Sequence, residues 1–185
     1  MGKVVRAGST ALYPAPVVLV TSADAQGKPN IITLAWAGIV CSEPPMVSIS
    51  IRPSRYSYDL IKASGEFVVN MPSEDILRET DYCGIVSGRD VDKFAQTGLT
   101  PEPSSQVKPP LIKQCPVNLE CVVKQVTNLG THDMFIGEVV ATHIDDDRLA
   151  GGGDILSARM VAYSPPTAEY LAVREIMGRF GFSAK

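Results

Sequence analysis

Two guanidinium groups and two serine hydroxyls are concentrated at residues 52–57, where a short apolar strand is predicted to give way to a helix. The run reads Arg52-Pro53-Ser54-Arg55-Tyr56-Ser57. Guanidinium groups, hydroxyls and the free N–H groups of a helix N-terminus all donate hydrogen bonds to an anion, so the run is typical of a phosphate site. A capped helix start with solvated arginines would show the same residues, and the spacing favours neither interpretation.

A second polar cluster, Ser87-Gly88-Arg89-Asp90-Val91-Asp92-Lys93-Phe94, follows 30 residues later. Its glycine would let a ligand approach the backbone closely, and Arg89 and Lys93 add two cations. A surface loop with paired charges is the simpler interpretation of this segment taken alone.

A third candidate is the segment 30–36, Asn-Ile-Ile-Thr-Leu-Ala-Trp, in which two polar residues interrupt an apolar strand. The backbone of such a strand can face a flat heterocycle, and sparse polar groups suit a ring that is half polar. A strand end followed by a core tryptophan is the alternative. The residues concerned are Asn30, Thr33, Leu34, Ala35 and Trp36.

Other kinds of site find little support in the sequence. The two histidines, His132 and His143, are far apart and are not grouped with cysteines at metal-ligand spacing, so we predict no metal site. No G-x-S-x-G motif is present, and the glycines at 151–153 are not followed by the residues of a phosphate loop. No G-x-G-x-x-G follows a strand, which argues against a Rossmann nicotinamide domain.

Composition sets the broad class of protein. At 185 residues with 45% hydrophobic residues, the chain is predicted to form one domain, 1–185. A net charge of −3 argues against binding to nucleic acid. The four cysteines show no C-x-x-C spacing and no secretory signal is recognisable, so we expect reduced thiols in the cytoplasm. No apolar run approaches the roughly 20 residues of a membrane-spanning helix.

The hydrophobic pattern predicts a mainly β protein. Proline- and glycine-rich turns separate strands at 17–21, 31–40, 46–52, 67–71, 117–124, 134–144 and 158–163, and short helices are predicted at 54–63, 73–82 and 169–177. Residues 96–116 hold five prolines and are interpreted as an ordered excursion over the surface. Six or more strands with few short helices indicate a β-barrel with attachments.

Seven stretches, taken together and in order, resemble the FMN-binding split barrels that include flavin reductases and flavoredoxin. They are NIITLAW (30–36), VCSEPPMVSISI (40–51), RPSRYSYDLI (52–61), GEFVVNMPS (65–73), SGRDVDKF (87–94), NLEC (118–121) and HDMFIGEVV (132–140). The similarity covers about residues 10–145, and the tail from about residue 151 matches least. It implies a six-stranded, Greek-key-like barrel that forms a homodimer, with FMN in a groove near the subunit interface.

The resemblance also implies roles for individual residues. Arg52, Ser54, Arg55 and Ser57 correspond to the phosphate-binding run, and Ser87, Gly88, Arg89 and Lys93 come from the second polar cluster. The isoalloxazine ring and ribityl chain would be lined by Asn30, Thr33, Leu34, Ala35 and Trp36, with Cys41 and Ser42. Because FMN itself carries the hydride and one-electron chemistry, no catalytic triad is expected.

The function implied by the resemblance is an oxidoreductase that moves electrons from NAD(P)H through FMN to an acceptor. His132 is the candidate catalytic residue, placed in the region of the second substrate; a strand-end histidine at the barrel surface is the alternative. NAD(P)H would bind transiently on the barrel. Two other functions stay open: a flavoredoxin-like electron carrier reduced by a protein partner, and a non-catalytic FMN-binding protein.

Overall fold

The computed structural model of the chain describes residues 2–146 and 158–184 and is mainly β, as predicted. The strands are β1 Ala15–Pro16, β2 Val18–Ala23, β3 Pro29–Leu34, β4 Ala37–Ser42, β5 Pro45–Ile51, β6 Glu66–Met71, β7 Pro101–Glu102, β8 Leu111–Ile112, β9 Val117–Asn128, β10 Asp133–Ile144, β11 Val161–Ser164 and β12 Glu169–Ala172. The α-helices are α1 Tyr56–Ser64, α2 Leu77–Ile85 and α3 Lys93–Thr97, with short 3₁₀ turns at Glu74–Ile76 and Phe182–Ala184. None of the helices in this described part is long and apolar enough to span a bilayer.

Seven antiparallel strands form the main sheet, in the order β3-β2-β6-β9-β10-β5-β4. Strands β3 and β4 stand at opposite edges of this sheet, yet only Ala35 and Trp36 link them. So short a link brings the two edges together, and the sheet must therefore curl into a barrel. The Trp36 carbonyl accepts a hydrogen bond of 2.8 Å from the backbone N–H of Ser50, which ties the link to β5.

This link corrects two expectations. The apolar segment 31–40 was predicted as one strand, and the structure divides it between β3 and β4 because the chain passes there from one edge of the sheet to the other. The main sheet consequently has seven strands rather than the six that the resemblance implies.

The barrel interior is filled by apolar side chains from alternating strand positions. On β5, Val47, Ile49 and Ile51 are buried, as the period-two pattern predicts. Helix α1 contributes Tyr58 to the same cluster, and its ring meets the edge of the Phe135 ring with centroids 5.5 Å apart. The aromatic contact fixes α1, and with it the polar run that precedes the helix, against the barrel.

The outer face of β2 and β3 is covered by a second apolar layer. Leu19 and Ile31 pack there with residues of α2, α3 and the proline-rich segment, including Cys83, Phe94 and Ile112. Residues 96–116 are thus an ordered excursion, as predicted, and β7 pairs with β8 within it. Because helices α2 and α3 are fixed by this layer, the polar residues around them have defined positions relative to β3.

The C-terminal region forms a separate small sheet. Strand β11 pairs with β1 on one side and with β12 on the other. The helix predicted at 169–177 is wrong, because residues Glu169–Ala172 form β12. Leu171 and Val173 are exposed, so a helix here would have no buried face, whereas pairing with β11 satisfies the backbone. The glycines at 151–153 lie outside the described residues.

A buried carboxylate fastens the proline-rich segment to the barrel. Glu120 on β9 has no exposed surface. One of its oxygens accepts hydrogen bonds from the backbone N–H and hydroxyl of Ser105, at 2.7 and 2.8 Å, and lies 2.6 Å from His143 Nε2. The other accepts from the N–H groups of Gln106 and Val107, at 2.6 and 3.0 Å. Burial raises the pKa of Glu120, but these donors outweigh it and lower the pKa to about 2.

The first prediction concerns stability in acid. The folded-state pKa of Glu120 lies below its ordinary value of 4.5, so its contribution is complete above about pH 5 and is lost as the pH falls towards 2. We expect the free energy of unfolding to decrease over this range by on the order of 3 kcal/mol from this group. Denaturant unfolding at several pH values measures it. Glu120→Gln should be less stable at neutral pH, and its free energy of unfolding should change less between pH 5 and pH 2. If the variant loses as much stability in acid as wild type, Glu120 is not the group responsible.

Candidate functional site

Two adjoining cavities lie where the barrel edge meets helices α1 and α2. The larger has a volume of about 430 Å³ and the smaller about 130 Å³. Ile32, Arg55 and Gly84 line both, so the cavities form one continuous groove. A ligand with a small polar end and a larger flat end fits this shape.

The smaller cavity brings together the three polar clusters identified in the sequence. Its lining includes Asn30 from β3, the hydroxyl residues Ser54 and Ser57 at the start of α1, and Ser87 after α2. Asn30 Nδ2 donates a hydrogen bond of 2.7 Å to Ser57 Oγ, so β3 and α1 are joined at the cavity wall. Arg55 occupies the N-cap position of α1 and no side chain caps this helix. The Arg52 and Arg55 side chains are exposed, so the solvated arginines of the alternative interpretation are present, whereas a side-chain cap is not.

Gly88 is required at this wall by a close approach. A Cβ atom built on Gly88 would lie 1.9 Å from Asn30 Oδ1 and 3.0 Å from the Tyr56 ring. No side chain can occupy that position without displacing Asn30. The glycine therefore serves the packing of the cavity wall, and the cavity it borders is lined by donors.

The two cations of the second cluster differ in their surroundings. Lys93 is buried, and its ammonium donates to the carbonyls of Ile31 and Cys83, both at 2.7 Å. Burial lowers the pKa of Lys93 to about 8. Lys93 thus braces β3 against α2 at the back of the smaller cavity, and the surface-loop interpretation does not hold for it.

Arg89 stands outside both cavities. Its guanidinium is 3.0 Å from Asp59 Oδ2, donates to the Ser54 carbonyl at 3.1 Å and lies over the Tyr56 ring. These contacts hold the segment before α1 in place. Arg52 and Arg55 are the arginines that line the larger cavity. Within residues 2–146 and 158–184 neither has a carboxylate partner, so both are open to an anionic ligand.

The larger cavity is lined along one side by the end of β3 and the link to β4. Thr33, Leu34, Ala35 and Trp36 contribute to it, and the Thr33 hydroxyl donates to the Thr80 carbonyl, which joins β3 to α2. The Trp36 indole stacks on the His132 imidazole, with centroids 6.4 Å apart and planes inclined by 18°.

The surroundings of His132 favour its neutral form. Partial burial and the nearby positive charge of Arg52 lower its pKa below the ordinary value of 6.5. Its Nδ1 lies 3.0 Å from the Thr131 hydroxyl. An uncharged imidazole stacked on an indole offers a flat contact surface for a ligand in the larger cavity.

Several residues that line the larger cavity were not predicted from the sequence. The larger cavity is also lined by Asp81, Gly84 and Ile85 of α2, and by Tyr163 and Tyr170 of the β11–β12 hairpin. The i, i+3, i+4 spacing of the three α2 residues places them on one helix face and could have indicated a shared surface. The sequence pattern did not indicate that the two tyrosines would line a cavity, because a helix was predicted over Tyr170.

Besides Arg89, two further residues predicted from the resemblance line neither cavity. Cys41 and Ser42 lie at the distal end of β4, beside the turn at Glu43, and line neither of the two cavities. Their backbone continues from Trp36 away from the groove. Among the residues that the structure describes, no group of histidine, cysteine and acidic side chains could hold a metal ion.

Comparison with known proteins fits this geometry. Residues 10–161 match the family described as flavin reductase like domain. The chain belongs to this family. Its fold is similar to that of flavoredoxin from Desulfovibrio vulgaris (Miyazaki F), with a TM-score of 0.93, 36% identity and full coverage of both chains. A flavoredoxin from Methanosarcina acetivorans gives a TM-score of 0.89 at 30% identity, again over both complete chains.

A sequence relative extends the comparison. An uncharacterized protein of Archaeoglobus fulgidus is 38% identical over 135 residues, which cover 72% of this chain and 75% of the relative. Together with the fold, the family match supports a flavin-binding redox protein. The phosphate-type donors of the smaller cavity and the flat apolar wall of the larger one suit the two ends of such a cofactor.

The second prediction concerns Gly88. Gly88→Ala should displace the Asn30 side chain and break its hydrogen bond to Ser57, lowering the free energy of unfolding by about 1–3 kcal/mol. Denaturant unfolding measures the change. Gly84→Ala is the matched control: its Cβ would meet Thr33 Cβ at 3.3 Å, and alanine favours the helix, so a smaller effect is expected. Equal stability of Gly88→Ala and wild type would rule out the close approach.

Proposed function

We propose that the protein binds FMN in the two-cavity groove and transfers electrons from NAD(P)H through it to an acceptor. The observation that carries this proposal is the position of Arg55, whose guanidinium has no carboxylate partner in the described chain and which lines both cavities. A phosphate beside Arg55 would lie in the smaller cavity, and a ring attached to it would extend into the larger one.

The donors of the smaller cavity support a phosphate rather than an uncharged group. Arg55 offers a guanidinium, Ser54, Ser57 and Ser87 offer hydroxyls, and the first turn of α1 offers backbone N–H groups. Charge-assisted bonds of this kind are about twice as strong as neutral ones. The small volume, about 130 Å³, suits the single phosphate of FMN.

The walls of the larger cavity would hold and orient the ring. Thr33 to Trp36 provide backbone and apolar surface, and Arg52 provides a positive charge that favours negative charge developing on a ligand there. When bound, FMN supplies the hydride and one-electron chemistry. We propose that His132, stacked on Trp36, contacts the second substrate as a neutral ring rather than as an acid or base.

Two other functions belong with the same groove. A flavoredoxin-like electron carrier, reduced by a protein partner, is favoured by the likeness to the two flavoredoxins. A non-catalytic FMN-binding protein would keep the groove without turnover. Mixing the FMN-loaded protein anaerobically with NADH or NADPH separates them, because a reductase should lose its flavin absorbance near roughly 450 nm. A carrier would lose its flavin absorbance only with a protein donor. A non-catalytic protein would keep the absorbance with either kind of donor.

The third prediction tests the phosphate assignment. Arg55→Ala should weaken FMN binding by about 1.5–3 kcal/mol, because it removes a charge-assisted donor from a partly desolvated cavity. Riboflavin, which lacks the phosphate, should bind the variant and the wild type alike. Titration followed by quenching of flavin fluorescence measures both affinities.

Arg78→Ala is the control for this experiment, since Arg78 is an exposed arginine of α2 that lines neither cavity. It should leave FMN and riboflavin binding unchanged. Equal losses of FMN and riboflavin in Arg55→Ala would show that Arg55 acts on the fold of the site and not on a phosphate.

We also propose that the protein is a homodimer. Strand β4 is an edge strand that pairs only with β5 in the main sheet. Its Ile39 is 83% exposed, and the adjacent Val40, at an irregularity in the pairing with β5, is 47% exposed. An edge strand with exposed apolar residues is prone to association unless another chain covers it. A second copy would cover it beside the groove, because Trp36 immediately precedes β4.

The fourth prediction follows from that surface. Ile39→Asp should shift the protein towards monomer, because an aspartate would be desolvated in the proposed interface. Light scattering during size-exclusion chromatography gives the mass. Val126→Asp serves as control, since Val126 is an exposed apolar residue on β9. A wild-type mass equal to one chain, or an unchanged mass for Ile39→Asp alone, would contradict the proposed interface.

The cytoplasmic location stays a prediction, and the cysteines serve the packing of the fold. All four cysteines are free, and Cys83, Cys115 and Cys121 are buried. Burial raises the pKa of the Cys83 thiol to about 11 and that of Cys121 to about 12. Thiols held in this neutral form are unreactive structural residues.

A further inference from the structure

The C-terminal β11–β12 hairpin contributes an aromatic wall to the larger cavity. Tyr163 on β11 and Tyr170 on β12 are directly paired across the hairpin, and their ring centroids are 5.5 Å apart with planes inclined by 57°. Both rings line the larger cavity and neither lines the smaller one. They therefore stand at the end of the groove that the proposed phosphate does not occupy.

A carboxylate of α2 holds one of these rings in place. The Tyr170 hydroxyl donates a hydrogen bond of 2.9 Å to Asp81 Oδ1. Burial and this bond to an acidic partner raise the pKa of Tyr170, so its hydroxyl remains a donor. Asp81 lines the same cavity, and the bond joins the hairpin to the helix across the cavity rim.

The two ends of the hairpin are fastened to one residue. Arg159, just before β11, places Nε 3.1 Å from Glu74 Oε1, and Arg174, just after β12, places Nη1 2.8 Å from the same oxygen. Arg159 also contacts Asp75 at 2.6 Å, and the Glu74 N–H donates to the Arg159 carbonyl at 2.9 Å. The hairpin is thus bracketed onto the turn before α2, and its tyrosines have a fixed place.

From this arrangement we infer that Tyr163 and Tyr170 form the wall against which the nicotinamide ring of NAD(P)H binds, with Asp81 as a positioning residue. This inference rests on the proposed function. The larger cavity has flat surfaces on two separate elements: Trp36 stacked on His132 from the barrel, and the tyrosine pair from the hairpin. The residues from Thr33 to Trp36 would supply the surface for the flavin, and the hairpin, together with His132, would supply the surface for a further planar ring.

The chemistry of the wall fits a nicotinamide. Its ring is flat and prefers offset or edge contacts with other aromatic rings. Asp81 is exposed and engages Tyr170 through one of its two carboxylate oxygens, so the other can accept a hydrogen bond from an amide N–H. A nicotinamide carries such an amide, whereas a simple apolar ring does not.

The experiment uses the FMN-loaded full chain and anaerobic stopped-flow reduction by NADH and NADPH. Tyr163→Ala should raise the half-saturating donor concentration about tenfold, which corresponds to about 1.4 kcal/mol. The limiting rate should change little, because a lost ring contact made equally before and during reaction affects binding alone. Tyr163→Phe keeps the ring and should behave as wild type. Tyr170→Phe, which breaks only the tether, should show a smaller increase of about threefold, and Asp81→Ala, which also removes the acceptor for the amide, should show a larger increase than Tyr170→Phe.

Tyr82→Ala is the matched control, because Tyr82 lies on α2 next to Asp81 but lines neither cavity. It should leave the donor dependence unchanged. FMN affinity, measured for each variant by fluorescence quenching, should equal that of wild type. Folding of each variant is checked by the same titration, since a misfolded chain cannot bind FMN.

The outcomes separate the inference from the proposed function. If wild-type protein binds FMN and is reduced with saturation, and Tyr163→Ala and Tyr170→Phe keep the wild-type donor dependence, the inference alone is overturned. Weakened FMN binding in the tyrosine variants would make the hairpin a flavin wall and would also overturn it. If wild-type protein is not reduced by NADH or NADPH, both the reductase proposal and the assignment of the nicotinamide ring to the tyrosine wall are wrong.

Discussion

The two-residue link between β3 and β4 determines where a ligand can bind. These strands stand at opposite edges of the seven-stranded sheet, yet Ala35 and Trp36 join them directly. The sheet must close around its core to satisfy that link, and the closure leaves a seam at which backbone is not covered by a neighbouring strand. The larger cavity lies along this seam, lined by the last residues of β3 and by the link itself.

The elements around the seam are each fixed by a different contact. The Tyr58–Phe135 contact seats α1, the buried Lys93 ammonium joins β3 to α2, and Glu120 fastens the proline-rich segment to β9. Charges and polar groups in these positions are satisfied by hydrogen bonds, as buried groups need to be. Arg52 and Arg55 differ, since neither forms an ion pair with a carboxylate of the described chain. The elements around the groove are therefore fixed, while its cationic groups remain open to a ligand.

Much of the fold could be predicted because its signals are local. The alternation along β5 predicted a strand with the correct face buried, and the polar run at 52–57 marked the start of α1. Strands were also predicted over β9 and β10, but the buried residues of β9 include the polar Asn118 and Glu120, which the alternation did not indicate. The break at Ala35 and Trp36 could not be predicted, because no glycine or proline marks it and the apolar pattern runs through it. It arises from the closure of the sheet, which is a long-range constraint.

The site was predictable to a similar extent. The clusters at 30–36, 52–57 and 87–94 could be recognised because each is continuous in sequence and carries hydrogen-bond donors. Residues from all three line the two cavities. The roles within them were not visible: Lys93 is a buried brace and Arg89 is engaged by Asp59. Tyr163 and Tyr170 enter the cavity only because β12 pairs with β11, and the helical spacing of apolar residues at 169–177 concealed that pairing.

The most direct test of this account is a crystal structure of the protein soaked with FMN. We expect the phosphate to lie in the smaller cavity, within hydrogen-bonding distance of Arg55 and Ser57, and the isoalloxazine ring to lie along Thr33 to Trp36 in the larger one. A phosphate bound elsewhere, or both cavities empty at saturating FMN, would contradict it.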